Sequence, residues 1–96
     1  MIRIKGDIRK EFENASKKIK DDIFAKTITD LKANTPVDTG EAREGWIRDK
    51  DTIINNVDHI EFLNKGSSQQ APKYFIEKTV LAQEGLKSRG TIVRSN

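Results

Sequence analysis

The 96-residue chain contains no cysteine, which excludes a disulfide framework and any thiolate metal site and removes the commonest covalent nucleophile besides serine. Histidine, tryptophan and tyrosine occur once each, as His59, Trp46 and Tyr74. One histidine does not build a metal site without carboxylate help that spacing alone does not indicate, and the few aromatics form no base-stacking set. No apolar run approaches the roughly 18 residues of a membrane span, and Met1-Ile2-Arg3-Ile4-Lys5 lacks the apolar centre of a signal peptide. A soluble protein, intracellular when made, is expected. Hydrophobic residues make up only 34% of the chain, equal to the charged fraction, so one thin core in one domain spanning residues 1–96 is expected. Chains with so little core often gain stability by association, which predicts a subunit.

Proline is nearly as scarce, and its two positions, Pro36 and Pro72, punctuate the chain. Pro36 restricts Thr35 as well as itself, so a preceding helix should end at about Ala33 or Asn34. Asp38, Thr39 and Gly40 then supply turn chemistry, with short side chains that bond nearby backbone and a residue free to take positive φ. Pro36, Asp38, Thr39 and Gly40 are therefore read as a structural turn.

From Asp7 to Ala33 there is neither Pro nor Gly, and Ile8, Phe12, Ala15, Ile19 and Ile23 recur at helical spacing, predicting a long helix with Asp7 as its N-cap. Ile8, Phe12, Ala15 and Ile19 lie on one line of that helix, whereas Phe24, Ile28 and Leu31 lie more than a quarter-turn away. Two faces imply a bend near Lys20-Asp21-Asp22 or two partners. Ile8, Phe12 and Ile19 are accordingly the candidate subunit interface. Before the helix, Ile2 and Ile4 alternate with charged residues, as in a short strand or a loose terminus.

After the turn, Glu41 to Arg48 reads as a strand whose start could equally hold a helical turn, and Thr52 to Val57 as a second strand. Asp49-Lys50-Asp51 between them reads as a hairpin connection. Trp46 is assigned to the core. His59 to Leu63 forms a compact apolar cluster, Asn64 to Ala71 an exposed loop, and Pro72 opens a second helix that runs to about Ser88. Thr91-Ile92-Val93 is a candidate terminal strand.

Little in this pattern carries reaction chemistry. There is no nucleophile elbow and no phosphate-binding glycine loop. A lone His59 is more often structural than catalytic, and carboxylate pairs such as Glu41 with Glu44 or Asp21 with Asp22 arise by chance in a chain so rich in charge. No enzymatic activity, cofactor, metal site or small-molecule substrate is expected. The net charge of +3 is uneven, with a basic C-terminal third that suits a polyanion or an acidic partner. Lys17, Lys18 and Lys20 on the first helix, with Lys73, Lys78, Lys87, Arg89 and Arg94, give the alternative reading of a small nucleic-acid-associated protein. No recognised binding motif accompanies them, and Asp21 and Asp22 dilute the first cluster.

Three pieces in order carry a family resemblance. A long charged helix ends in Thr35-Pro36-Val37-Asp38-Thr39-Gly40, and Glu41-Ala42-Arg43-Glu44-Gly45-Trp46 follows at once. Then come Ile54-Asn55-Asn56, Ile60-Glu61-Phe62-Leu63 and the run Asn64-Lys65-Gly66-Ser67-Ser68-Gln69-Gln70-Ala71-Pro72 before a closing helix. This order, over roughly residues 7 to 88, resembles the gene-ten-like tail-completion or neck family of lambdoid-type tailed bacteriophages. The chain departs from the family at His59-Ile60, where Tyr-Ala is usual, and at Asn64, where Glu is usual. The resemblance implies an α+β subunit in which a small antiparallel sheet is flanked by a long N-terminal helix and a C-terminal helix. It implies a virion protein at the head-tail junction or head-proximal tail end, assembled in the host cytoplasm as a homo-oligomeric ring. Its partners would be copies of itself and other neck, connector or tail proteins, with DNA met only as it passes through the channel, and no membrane. On that reading Asn64, Lys65, Ser67, Ser68, Gln69 and Gln70 touch another ring or line the lumen.

Overall fold

The structure is a computed structural model that describes residues 1–36, 40–65 and 74–89. It is an α+β fold. A four-stranded antiparallel sheet of order β2-β3-β1-β4 is built from β1 (Ile2–Ile8), β2 (Trp46–Asp49), β3 (Thr52–Asn55) and β4 (Leu86–Arg89). Its helices are the long α1 (Lys17–Asn34), the single turn α2 (Glu41–Glu44), the short α3 (Ile60–Asn64) and α4 (Phe75–Leu81).

Of the two readings of Ile2 and Ile4 the strand is the one that forms, whereas the helix expected from Asp7 is corrected: residues 2–8 are a central strand, and Lys10–Phe12 form a 3-10 turn before α1 begins at Lys17. The alternation of Ile2, Ile4, Gly6 and Ile8 has the period of a strand. Pairing on both sides decides the outcome, because Ile2 to Lys5 pair with β3 and Lys5 to Ile8 with β4. Gly6 lies inside the strand, at a place where a Cβ would come within 2.9 Å of the Leu86 side chain. Asp7 caps no helix and pairs with Arg89 at 3.1 Å. The N-cap of α1 is Ser16, whose Oγ accepts from the Ile19 N–H at 3.3 Å. Ile8, Phe12 and Ala15 therefore share no helix with Ile19, and the drift of the apolar stripe disappears with them.

The end of α1 falls where proline placed it. Thr35 is extended at φ −78° and ψ 131°, as a residue before proline should be, and its N–H bonds back to Leu31 O at 3.0 Å. The buried face of α1, Phe24, Thr27 and Leu31 with Ile23 and Ile28 beside them, packs on the inner face of the sheet, where Ile2, Ile4, Trp46, Ile53 and Leu86 are buried. The hairpin forms where expected with tighter bounds: Glu41–Glu44 takes the helical alternative, Asp49 belongs to β2 and pairs with Thr52, and the connection is Lys50-Asp51, with Lys50 at the positive φ (57°) that tight hairpin loops use.

The second helix is shorter than its pattern. It spans Phe75–Leu81 and does not run to about Ser88, because Leu86–Arg89 is instead the edge strand β4. Gln83 closes the helix by donating from Nε2 to Thr79 O at 3.1 Å, standing in for a backbone donor. The chain then turns so that Leu86 enters the core opposite Ile8. Pro72 and the candidate strand Thr91-Ile92-Val93 lie outside the described residues.

Candidate functional site

The junction between α1 and β2 is held by one buried hydrogen-bond chain. Thr35, 2% exposed, donates from Oγ1 to Leu31 O at 2.6 Å and accepts the Trp46 Nε1–H at 2.9 Å. Trp46 begins β2 and is itself 2% exposed, so its ring fills the core while its one polar atom is satisfied. Asn55, opposite Trp46 in the sheet, donates to Ala42 O at 2.8 Å and accepts the Val57 N–H at 3.0 Å, which pins α2 and the exit of β3. Pro36 is buried beside Thr35. Asp38 and Thr39 lie outside the described residues.

Gly40 has φ 75°, as the turn reading required, and precedes α2. A Cβ there would meet no atom of the described residues within 4 Å, so the penalty of a side chain is argued from the backbone alone. Gly40→Val is expected to destabilise by at least about 1–2 kcal/mol, the cost of the left-handed region for an L-residue. A lowered denaturant midpoint with an unchanged m-value checks it.

Among the loop residues assigned to inter-ring contact, Asn64 is corrected. It is 2% exposed, and its Oδ1 accepts the Ile76 N–H at 2.9 Å while its Nδ2 donates to Glu77 Oε1 at 2.7 Å. Its own carbonyl accepts the Tyr74 N–H at 2.6 Å. Asn64 thus fastens the end of α3 to the start of α4, and a residue bonded in this way offers nothing to a neighbouring ring. Lys65 is exposed. Ser67, Ser68, Gln69 and Gln70 lie outside the described residues.

The candidate interface residues are not brought onto one face. Ile8 is half-buried on β1 and packs against the core, Phe12 is half-buried in the 3-10 turn, and Ile19 is 47% exposed near the start of α1. Only Ile19 among them presents a large apolar surface.

A second polar seam, which the sequence did not announce, joins α1 to α4. Gln83 donates from Nε2 to Asp30 Oδ2 at 2.9 Å and accepts from Thr27 Oγ1 at 3.3 Å, and Asn34 donates to Thr79 Oγ1 at 2.9 Å. The Lys26 ammonium, 2.8 Å from Asp30, and then Gln83 hold the Asp30 carboxyl below the usual aspartate range. A depressed folded-state value contributes stability that is present above the unfolded value and lost as pH falls through the folded one. Asp30→Asn is therefore expected to flatten the acid limb of the stability profile below the usual aspartate range while leaving neutral stability within about 1 kcal/mol. Chemical denaturation from neutral to strongly acidic pH checks it.

The remaining features are modest. A shallow depression of about 180 Å³ is lined by Asn34, Phe75, Lys78 and Thr79. His59 is half-buried, and its carbonyl accepts the Leu63 N–H. No group of His, Asp and Glu suited to a metal ion occurs among the described residues, and none of their helices is long and apolar enough to cross a membrane.

The outer face of the sheet, turned away from the helices, carries Arg3, Lys5 and Asp7 from β1, Ile47 and Asp49 from β2, Thr52 and Ile54 from β3, and Lys87 and Arg89 from β4. Arg89 is engaged within the chain by Asp7 and Asp51. Ile47 is 53% exposed. Among the described residues no helix covers this face, and β2 and β4 are the sheet's edge strands. Comparisons of the chain with protein-family models, with curated proteins and with solved structures find no match.

Proposed function

We propose that this chain is a structural subunit of a tailed-bacteriophage virion that acts in head-tail joining or tail completion, as a ring-forming neck or connector component. The observation that carries the reading is the run from Thr35 to Trp46. Its residues are those of the family turn, and Thr35, Gly40 and Trp46 each have a physical role that explains their presence. Thr35 closes α1 and receives the indole, Gly40 takes the positive φ, and Trp46 plugs the core. The α+β architecture agrees with what the resemblance implies, and a thin core with an open sheet face suits a protein that works by contact with copies of itself and other neck or tail proteins. DNA passes such a ring without being bound by sequence. The subunit would reside at the head-tail junction of the virion after assembly in the host cytoplasm.

The nucleic-acid alternative has less support. Asp7, Asp49 and Asp51 interrupt the cations of the outer face, and Arg89 is already paired. Electron microscopy of the concentrated purified protein, together with a DNA-binding titration across salt, tests the reading. Closed annular particles with weak DNA affinity are expected. Absence of such particles together with tight DNA binding that falls steeply with salt would replace this reading with the alternative.

A further inference from the structure

Sheet order and charge together define how one copy would meet the next. In the order β2-β3-β1-β4 every neighbouring pair is antiparallel, so β2 runs with β1 and opposite to β4. Placing β2 of a second copy beside β4 of the first therefore continues the sheet with antiparallel pairing and no reversal of faces. Among the described residues both strands are sheet edges, and each has four residues.

We propose that β4 of one subunit pairs with β2 of the next, making a head-to-tail, continuous-sheet contact between copies of this chain. The proposal rests on the ring reading above and names its interface. In the register that sets Asp49 opposite Lys87, Ile47 falls opposite Arg89 on the outer face and Arg48 opposite Ser88 on the inner face. Asp49 and Lys87 are both exposed, and neither has an ion-pair partner among the described residues. Opposite charges at directly opposed positions stabilise a strand pair, and like charges destabilise it. The Arg89 stem would cover Ile47, the exposed apolar side chain of β2. Ser88 Oγ, buried without a hydrogen-bond partner among the described residues, would face the strand that carries Arg48.

The two symmetric alternatives are disfavoured by the same charges. Pairing β4 with a second β4 about Ser88 sets Lys87 against Arg89 twice, and pairing β2 with a second β2 about Arg48 sets Arg48 against itself. Charged edges of this kind block self-pairing while leaving one complementary partner. Because β4 pairs with the far half of β1 and β3 with the near half, the favoured register advances each subunit by two residues along the strands, roughly 7 Å. A heterologous contact with a constant step closes into a ring when its rotation permits, with the strands tilted as in a barrel.

The test uses Asp49→Lys and Lys87→Asp, both exposed substitutions, with sedimentation velocity over a wide range of protein concentration and circular dichroism to verify folding. The wild-type mass is expected to rise above the 10.9 kDa chain mass. Each single reversal places like charges at the interface and is expected to weaken association by roughly five- to tenfold. An equimolar mixture of the two variants restores it. The lysine introduced into β2 of one variant then meets the aspartate introduced into β4 of the other, and the Asp49 that the second variant retains meets the Lys87 that the first retains. The double variant D49K/K87D restores it in a single species and serves if either single variant folds poorly. Wild-type assembly that neither reversal alters would overturn the edge pairing while leaving a ring built through another surface. A wild-type monomer at every concentration would overturn the edge pairing as a contact between copies. Failure of the ring reading itself would show separately, as tight salt-sensitive DNA binding without annular particles.

Discussion

Trp46→Ala is expected to lower unfolding free energy by about 3–5 kcal/mol, the range for truncating a buried large aromatic. A domain of this size has a total stability of roughly 5–14 kcal/mol, so the variant should lose a large share of it. The site cannot collapse easily, because Trp46 lies between the end of α1 and Asn55, and both are fixed by their own hydrogen bonds. The loss has a separable polar part. Trp46→Phe removes only the Nε1–H donor and part of the ring, and Thr35→Val leaves the indole N–H buried without an acceptor while also freeing Leu31 O from the hydroxyl. Each is expected to cost about 1–3 kcal/mol. In a double-mutant cycle the two should couple by about 1 kcal/mol, since each removes one end of the same 2.9 Å bond. Strict additivity would mean that the bond contributes nothing and that Trp46 acts by volume alone.

The second large effect is at Asn64. Asn64→Leu leaves the Ile76 N–H buried with no acceptor and removes the donor to Glu77, at an expected cost of about 2–4 kcal/mol. The affected element is α4, whose first turn also follows Tyr74 at the unfavourable φ of 61°. Asn64→Asp separates the two roles. Its carboxylate still accepts from Ile76 but faces Glu77, so the variant should be destabilised at neutral pH and recover as acid protonates one of the pair. Denaturant titrations at neutral and acidic pH read both results. An Asn64→Leu protein of wild-type stability would return this residue to the exposed loop that its sequence neighbours suggest.

Asn64 also shows where the sequence was opaque. It opens a run of Gly, Ser and Gln, and nothing local distinguishes a buried cap from a loop residue. Its partners, Ile76 and Glu77, are brought to it by the tertiary fold. Gln83 is hidden for the same reason, being a polar residue in a helical pattern whose partners are on α1. By contrast, the end of α1 and the turn at Gly40 were legible because they are set by local backbone sterics at Thr35-Pro36 and at a residue free to take positive φ. The hairpin between Ile47 and Ile54 was legible from strand pattern and turn composition. The strand at Ile2 and Ile4 was among the readings, but the start of the helix was placed too early, at Asp7 and not Lys17, because Ile8, Phe12, Ala15 and Ile19 happen to fall at helical spacing. The competing two-residue period of Ile2, Ile4, Gly6 and Ile8 prevails only when β3 and β4 are present to pair with it. The helical pattern after Pro72 was overrun in the same way, because Leu86–Arg89 pairs with β1 and Leu86 is fully buried there.

The proposed contact between copies was not legible either, since edges exist only once strand order is known. The candidate contact through Ile8, Phe12 and Ile19 rested on a helix face that does not form. The edge pairing proposed in its place depends on the order β2-β3-β1-β4 and on charges 38 positions apart in the sequence, at Asp49 and Lys87.

Self-assembly is the property on which both the ring and its edge pairing depend, and light scattering of the purified protein at low and high salt measures it most directly. A ring-sized mass that persists at high salt is expected, because backbone pairing and apolar cover are screened far less than exposed charges. A mass equal to one chain at both salt concentrations would contradict it.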